Sequence, residues 1–233
     1  REDPDLVWGD LPPIIYGTAL SAEHLDATAG FAGTFTYDPP VGTILSGGPH
    51  MLTAFFAAAD PVNIAEAETT VSLLVTPAPL RVTVDTTHRL YGDPNPPFAL
   101  SYEGFIPGDS VISLTESPTA LCAAGEADSV GEYTVTLQGG LSTNYDIILV
   151  DGILSVLPAP LTVTAVDAWR RQGQPNPEFD FGGDGWRTGD TAASTGLQVV
   201  LACEADEFSP PGVYPITAAG PLQLGNYELT YAP

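Results

Sequence analysis

The stretch that most constrains this chain is Tyr91-Gly92-Asp93-Pro94-Asn95-Pro96-Pro97-Phe98. It returns 81 positions later as Gln172-Gly173-Gln174-Pro175-Asn176-Pro177-Glu178-Phe179. The same spacing carries Gly104-Phe105 to Gly185-Trp186, Gly108-Asp109 to Gly189-Asp190, Cys122 to Cys203, and Gly131-Glu132-Tyr133 to Gly212-Val213-Tyr214. Asn144-Tyr145 returns one place further on, as Asn226-Tyr227. Repetition at a fixed period means that each period is one folded unit. Three domains are therefore expected: residues 1–76, then one copy over 77–157 and a second over 158–233.

Each copy opens on an alternating strand, Leu80-Arg81-Val82-Thr83-Val84 in one and Leu161-Thr162-Val163-Thr164-Ala165 in the other. Further strands are predicted at Phe98–Tyr102, Tyr133–Leu137 and Tyr145–Val150, and at their counterparts Phe179–Phe181, Tyr214–Thr217 and Tyr227–Tyr231. The first copy closes with Gly152-Ile153-Leu154-Ser155-Val156, which has no counterpart before Pro233. The second copy should then present an unpaired edge, either frayed or covered by a neighbouring molecule. Asp109 and Asp190 are placed as N-caps of one short helix in each copy. Pro77-Ala78-Pro79 and Pro158-Ala159-Pro160 read as short, semi-rigid links between domains, which predicts an elongated arrangement.

Residues 1–6 read as an acidic linker. Beyond them, Ile14-Ile15-Tyr16, Gly33–Tyr37, Met51–Phe56 and Val71–Val75 are separated by the turn clusters Asp38-Pro39-Pro40 and Ser46-Gly47-Gly48-Pro49. Short strands with such turns suggest an immunoglobulin-like sandwich. The predicted fold class is mostly β: small β-rich domains in tandem, an Ig-like sandwich followed by two related domains, each with at most one short helix.

The net charge is −23, and all six positive side chains are Arg. Nucleic acid is excluded as a partner, since phosphate neutralisation needs clustered cations. Anionic membrane surfaces are disfavoured for the same reason, and no apolar run is long enough to insert into a membrane. The chain opens at Arg1 with no signal peptide, which reads as a fragment of something longer. Two cysteines are too few for a disulfide scaffold. Because Cys122 and Cys203 hold equivalent places in successive copies, they are not expected to bond to each other; an intermolecular bond or two buried thiols remain open.

Two resemblances rest on these residues. Tyr16-Gly17-Thr18-Ala19-Leu20-Ser21, Gly33-Thr34-Phe35-Thr36-Tyr37-Asp38-Pro39 and Gly42–His50 resemble the Ig-like repeats of large bacterial surface proteins, over about residues 5–76. Residues 78–157 are similar to the MBG repeat family in the opening strand, the Tyr-Gly-Asp-x-Asn-Pro phrase, Gly-Asp-Ser, Val-Gly-x-Tyr, Asn-Tyr and the closing Gly-x-Leu-x-Val. Residues 159–233 depart from that pattern at Gln172, Gln174 and Pro211, and lack the closing strand. The resemblance implies tandem modules of exported bacterial adhesins, without catalysis.

No residues form a catalytic set. His24, His50 and His88 share no ligand spacing, and no nucleophile elbow, phosphate loop or zinc motif is present. Calcium is the one cofactor the acidity suggests, through Asp85, Asp93, Asp151 and Asp167 near the proline links, or Glu204, Asp206 and Glu207 in one loop. No Asp-x-Asp-x-Asp-Gly loop supports it, so a solvated acidic face is the simpler reading. Pro-Asn-Pro is expected to be a rigid turn whose Asn bonds local backbone. Trp169, Arg170, Arg171, Trp186 and Arg187 gather half of the positive charge with two large aromatics, and are the candidate ligand-binding residues. The alternative puts both Trp rings in the core and pairs the Arg residues with acids.

The favoured expectation is a non-catalytic stalk segment of an exported bacterial adhesin, with neighbouring repeats of the same protein as its partners. A carbohydrate- or protein-binding module using the Trp169/Trp186/Arg187 region, directed at a host or matrix protein or glycan, is the alternative. A third reading is an accessory region of a secreted enzyme.

Overall fold

The computed structural model describes residues 1–232, and these are built almost wholly from strands and turns. The N-terminal region forms a four-stranded sheet in the order β1-β4-β3-β2: β1 is Ile14–Ile15, β2 Gly33–Asp38, β3 Gly48–Ala58 and β4 Ala67–Thr76. Alternation along β3 and β4 turns Leu52, Val71, Leu73 and Val75 to one face, where Leu20, Leu25 and Leu45 from connecting segments cover them. Each such leucine or valine withdrawn from water contributes about 1.5–3 kcal/mol. Residues 1–6 are not a free linker. Glu2 N–H donates to the Asn63 carbonyl, Ala65 N–H donates to the Glu2 carbonyl, and Pro4 is buried, so the acidic stretch is held by its backbone.

The first copy contains two sheets. One pairs β5 (Ala78–Val84) with β7 (Leu100–Glu103) on one side and, in parallel, with β10 (Tyr145–Val150) on the other. The second runs β6-β11-β9-β8, where β6 is Thr87–Leu90, β8 Thr119–Cys122, β9 Gly131–Gln138 and β11 Gly152–Leu157. The closing strand β11 lies in the middle, parallel to β6 and antiparallel to β9, with Leu154 and Val156 fully buried.

The second copy repeats the first sheet closely. Strand β12 (Ala159–Ala165) lies between β13 (Phe181–Asp184) and the parallel β17 (Tyr227–Ala232), which also pairs with β16 (Gln223–Leu224). Register is kept: Ala78 stands opposite Tyr145 as Ala159 stands opposite Tyr227. The second sheet is reduced to β14 (Val200–Cys203) against β15 (Ile216–Ala219).

Two sequence expectations are corrected here. Thr76 ends β4 and Ala78 begins β5, so the expected proline link is Pro77 alone; Pro158 does the same between β11 and β12. Pro79 and Pro160 already lie in strands, near their starts, where a missing N–H is tolerated. The helical turns are capped one residue later than expected. Ser110 precedes the 3-10 turn Val111–Ser113, and Thr191 caps α1 (Ala192–Thr195) through a reciprocal pair of bonds with Ser194. The carboxylates of Asp109 and Asp190 are engaged elsewhere.

Contacts divide the chain into two compact units. One holds Arg1–Thr83, Leu100–Ala120 and Leu137–Val150; the other holds Val84–Ala99, Leu121–Thr136 and Asp151–Pro233. The division runs through the first copy, so β5, β7 and β10 share a unit with the N-terminal sheet, while β6 and β11 share one with the second copy.

Candidate functional site

Each unit contains a junction built from the same side chains. In the first, the Tyr16 hydroxyl donates to Asp109 Oδ2 at 2.9 Å and the Tyr145 hydroxyl donates to the same oxygen at 2.6 Å. The two rings meet edge to face, centroids 5.4 Å apart. In the second, Tyr91 and Tyr227 donate to Asp190 Oδ2 at 3.0 and 2.8 Å, with ring centroids 5.6 Å apart and again edge to face. Tyr16 and Tyr91 both precede a glycine; Asp109 and Asp190 both follow one; Tyr145 and Tyr227 both follow an asparagine.

Those neighbours complete each junction. Asn144 Oδ1 accepts from Gly47 N–H at 2.8 Å, and Asn226 Oδ1 accepts from Val130 N–H at 2.9 Å. Gly17 and Gly92 have φ of +96° and +83°, and a Cβ on either would stand 2.8 Å from Ile106 or 2.5 Å from Arg187. Glycine is thus needed twice over, for its backbone conformation and for the close approach. Tyr145 and Tyr227 also accept backbone N–H bonds from Ile106 and Arg187, at 3.0 and 2.9 Å.

The electrostatics follow from this geometry. Burial first, then the bond to Asp109, pushes the Tyr145 hydroxyl up to about 12. Burial likewise pushes Tyr227 up to about 12, with the bond to Asp190 adding to it. The Tyr145 hydroxyl, aided by Tyr16 and Ser113, holds Asp109 below the usual carboxylate range, against the opposing effect of burial. A carboxylate with two phenolic donors is a clamp, and bonds to a charged acceptor exceed neutral ones in strength.

The Trp and Arg residues singled out from the sequence do not form one site. Trp186 and Arg187 belong to the second junction. The Trp186 ring lies edge-on to Tyr227 with centroids 5.1 Å apart, and Arg187 Nη1 reaches Asp93 Oδ1 at 3.2 Å. That ion pair is more than one-third exposed at both ends and contributes little. Trp169, Arg170 and Arg171 instead line a groove of about 780 Å³, together with residues 209–216. Trp169 is 85% exposed, so only one of the two rings is available as a platform.

The Pro-Asn-Pro asparagines also act differently from expectation. Asn95 Nδ2 donates to the Ala124 carbonyl at 2.7 Å, and its Oδ1 accepts from Arg89 Nε at 2.8 Å; Arg89 also donates to the Gly125 carbonyl. Asn176 repeats this with Ala205 and Arg170, and Arg170 donates to the Asp206 carbonyl. The motif is a clip between distant loops, and Arg–Asn spacing six apart in both copies was its available signal.

Cys122 and Cys203 are free thiols, both half-buried. Among the described residues no three His, Cys, Asp or Glu side chains come together as metal ligands. Asp206 is held by Ser209 and the Phe208 N–H, and these bonds lower its pKa.

The sequence alone does not bring the junction residues together. They were visible as repeat markers, Tyr-Gly, Gly-Asp and Asn-Tyr, but their joint use was not, because each junction draws on three segments far apart in the chain. A search of curated proteins returned no match. The MBG domain (YGX type) family matches residues 80–155 and 161–233, which takes in the tyrosine and glycine of the first copy's junction motif and both Gly-Asp and Asn-Tyr pairs. The chain accordingly belongs to the MBG domain family of YGX type, a non-enzymatic repeat family, and carries two copies of it.

Proposed function

We propose that this chain is a non-catalytic stalk segment of an exported bacterial surface protein, divided into modules at 76/77 and 157/158, whose partners are neighbouring repeats of the same protein. The observation that carries the reading is the double use of one clamp. Tyr-Gly of one module meets Gly-Asp and Asn-Tyr of the next at both junctions, with the same oxygen accepting from both tyrosines. Repeating a stiff connector is what a spacer requires, and an enzyme gains nothing from it. The net charge of −23 suits a solvated, extracellular segment.

Small-angle scattering of the whole chain tests this. An elongated particle is expected, unchanged by calcium or a chelator, with a broader distance distribution once Asp109→Ala and Asp190→Ala are combined. A compact particle, or a distribution indifferent to the double substitution, would overturn the reading. A second reading, a binding module for a glycan or protein, is favoured by one feature only: the exposed Trp169 ring beside Arg170 and Arg171.

A further inference from the structure

The groove lined by Trp169 and Arg170 has a counterpart in the first copy, and there it is filled. Residues 168–171 correspond to β6 and residues 212–216 to the first half of β9, the two strands that flank β11. In the first copy Leu154 and Val156 of β11 drop between them, opposite Thr87 and Arg89 on one side and Tyr133 and Gly131 on the other. In the second copy those places are held by Ala168, Arg170, Tyr214 and Gly212, all around the open groove.

The walls keep their shape without the strand. Arg170 makes the bonds to Asn176 and the Asp206 carbonyl that Arg89 makes to Asn95 and the Gly125 carbonyl. The Tyr214 hydroxyl donates to the Pro210 carbonyl as Tyr133 donates to that of Ser129. What differs is exposure at the matched positions: Arg89 is 5% exposed beside β11, and Thr87, Gly131 and Tyr133 are half-buried, whereas Arg170 is half-buried and Ala168, Gly212 and Tyr214 are exposed.

We propose that this groove is a strand-receiving slot. Its occupant is an extended segment with the residue pattern of β11, apolar at alternate positions, joined to the end of β17 as β11 is joined to β10 through Asp151. It lies parallel to residues 168–171 and antiparallel to 212–216. Most backbone bonds fall on the 168–171 side, which contains no proline, whereas Pro215 has no N–H to offer. Main-chain bonds supply affinity and alternate side chains supply selectivity, as in other strand additions.

Three samples test the slot by amide hydrogen exchange. The first is the chain continued by Asp-Gly-Ile-Leu-Ser-Val-Leu, the sequence of residues 151–157. The second carries the same extension with aspartate in place of its inward Leu and Val. The third is the chain itself with the heptapeptide added free. At least tenfold slower exchange at 168–171 and 212–214 in the first sample, absent from the second, is the expected result. Equal exchange in all three overturns the slot, equal protection in both extended forms overturns the pattern, and protection by the free peptide alone overturns the joined source.

Discussion

Replacing Tyr227 by Phe removes a single oxygen and leaves the ring, so it isolates the clamp from the packing around it. Tyr227 is 1% exposed; its hydroxyl donates to Asp190 Oδ2 at 2.8 Å and accepts from Arg187 N–H at 2.9 Å. A bond to a charged partner contributes about 1.5–3 kcal/mol, and an amide left without its acceptor costs about 1 kcal/mol more. The expected loss is therefore about 2.5–4 kcal/mol. Tyr231→Phe is the matched control, since its hydroxyl donates only to the Pro221 carbonyl from an exposed site, a neutral bond of about 0.5–1.5 kcal/mol. Denaturant titration followed by ¹⁹F resonances of fluorotryptophan separates the regions, because Trp186 lies 5.1 Å from the Tyr227 ring while Trp8 packs on Tyr37. The Trp186 signal should move to lower denaturant while the Trp8 signal stays. Equal losses in the two variants, or a loss under about 1 kcal/mol for Tyr227→Phe, would refute the clamp.

Other consequences follow from the same contacts. Gly92→Ala should cost about 1–3 kcal/mol more than Gly173→Ala, measured by denaturation: both have φ of +83°, but a Cβ at 92 strikes Arg187 and one at 173 meets nothing. Asn95→Ala should cost about 1–3 kcal/mol, because it leaves the 5%-exposed Arg89 short of an acceptor. Tyr145 and Tyr227 have folded pKa values raised to about 12, so the stability they contribute is intact below the ordinary phenol value near 10 and is lost as pH rises through 12. Asp109 is lowered, so its contribution is present above about pH 4 and disappears as pH falls through its folded value; Asp109→Asn should flatten that acid limb of a stability-against-pH curve.

The period of 81 made the fold class legible, since alternation and turn chemistry are local and each copy repeats them. Strand ends moved by a few residues where partners decided: predicted Phe98–Tyr102 became Leu100–Glu103, and Phe179–Phe181 became Phe181–Asp184. The candidate site was legible only in its residue types. Trp169 and Trp186 lie 17 positions apart, yet one faces the open groove and the other packs on a junction, because only the second has Tyr227 to lean against.

The two copies also separate two jobs that the sequence motif fuses. The turn itself is kept by Arg89 and Asn95 in one copy and by Arg170 and Asn176 in the other, with the same donors and acceptors. The residue one place before the motif's glycine differs: Tyr91 donates to Asp190, whereas the second copy carries Gln172 there and keeps the same Arg–Asn turn bonds. The turn therefore does not depend on the tyrosine, and the tyrosine serves the module that follows. On that reasoning Tyr91→Gln should leave the Arg89–Asn95 clip and its loop protected from hydrogen exchange, while loosening the Trp186 environment next to Tyr227. If the clip melts together with the junction, the motif is a single cooperative device and this separation of roles is wrong.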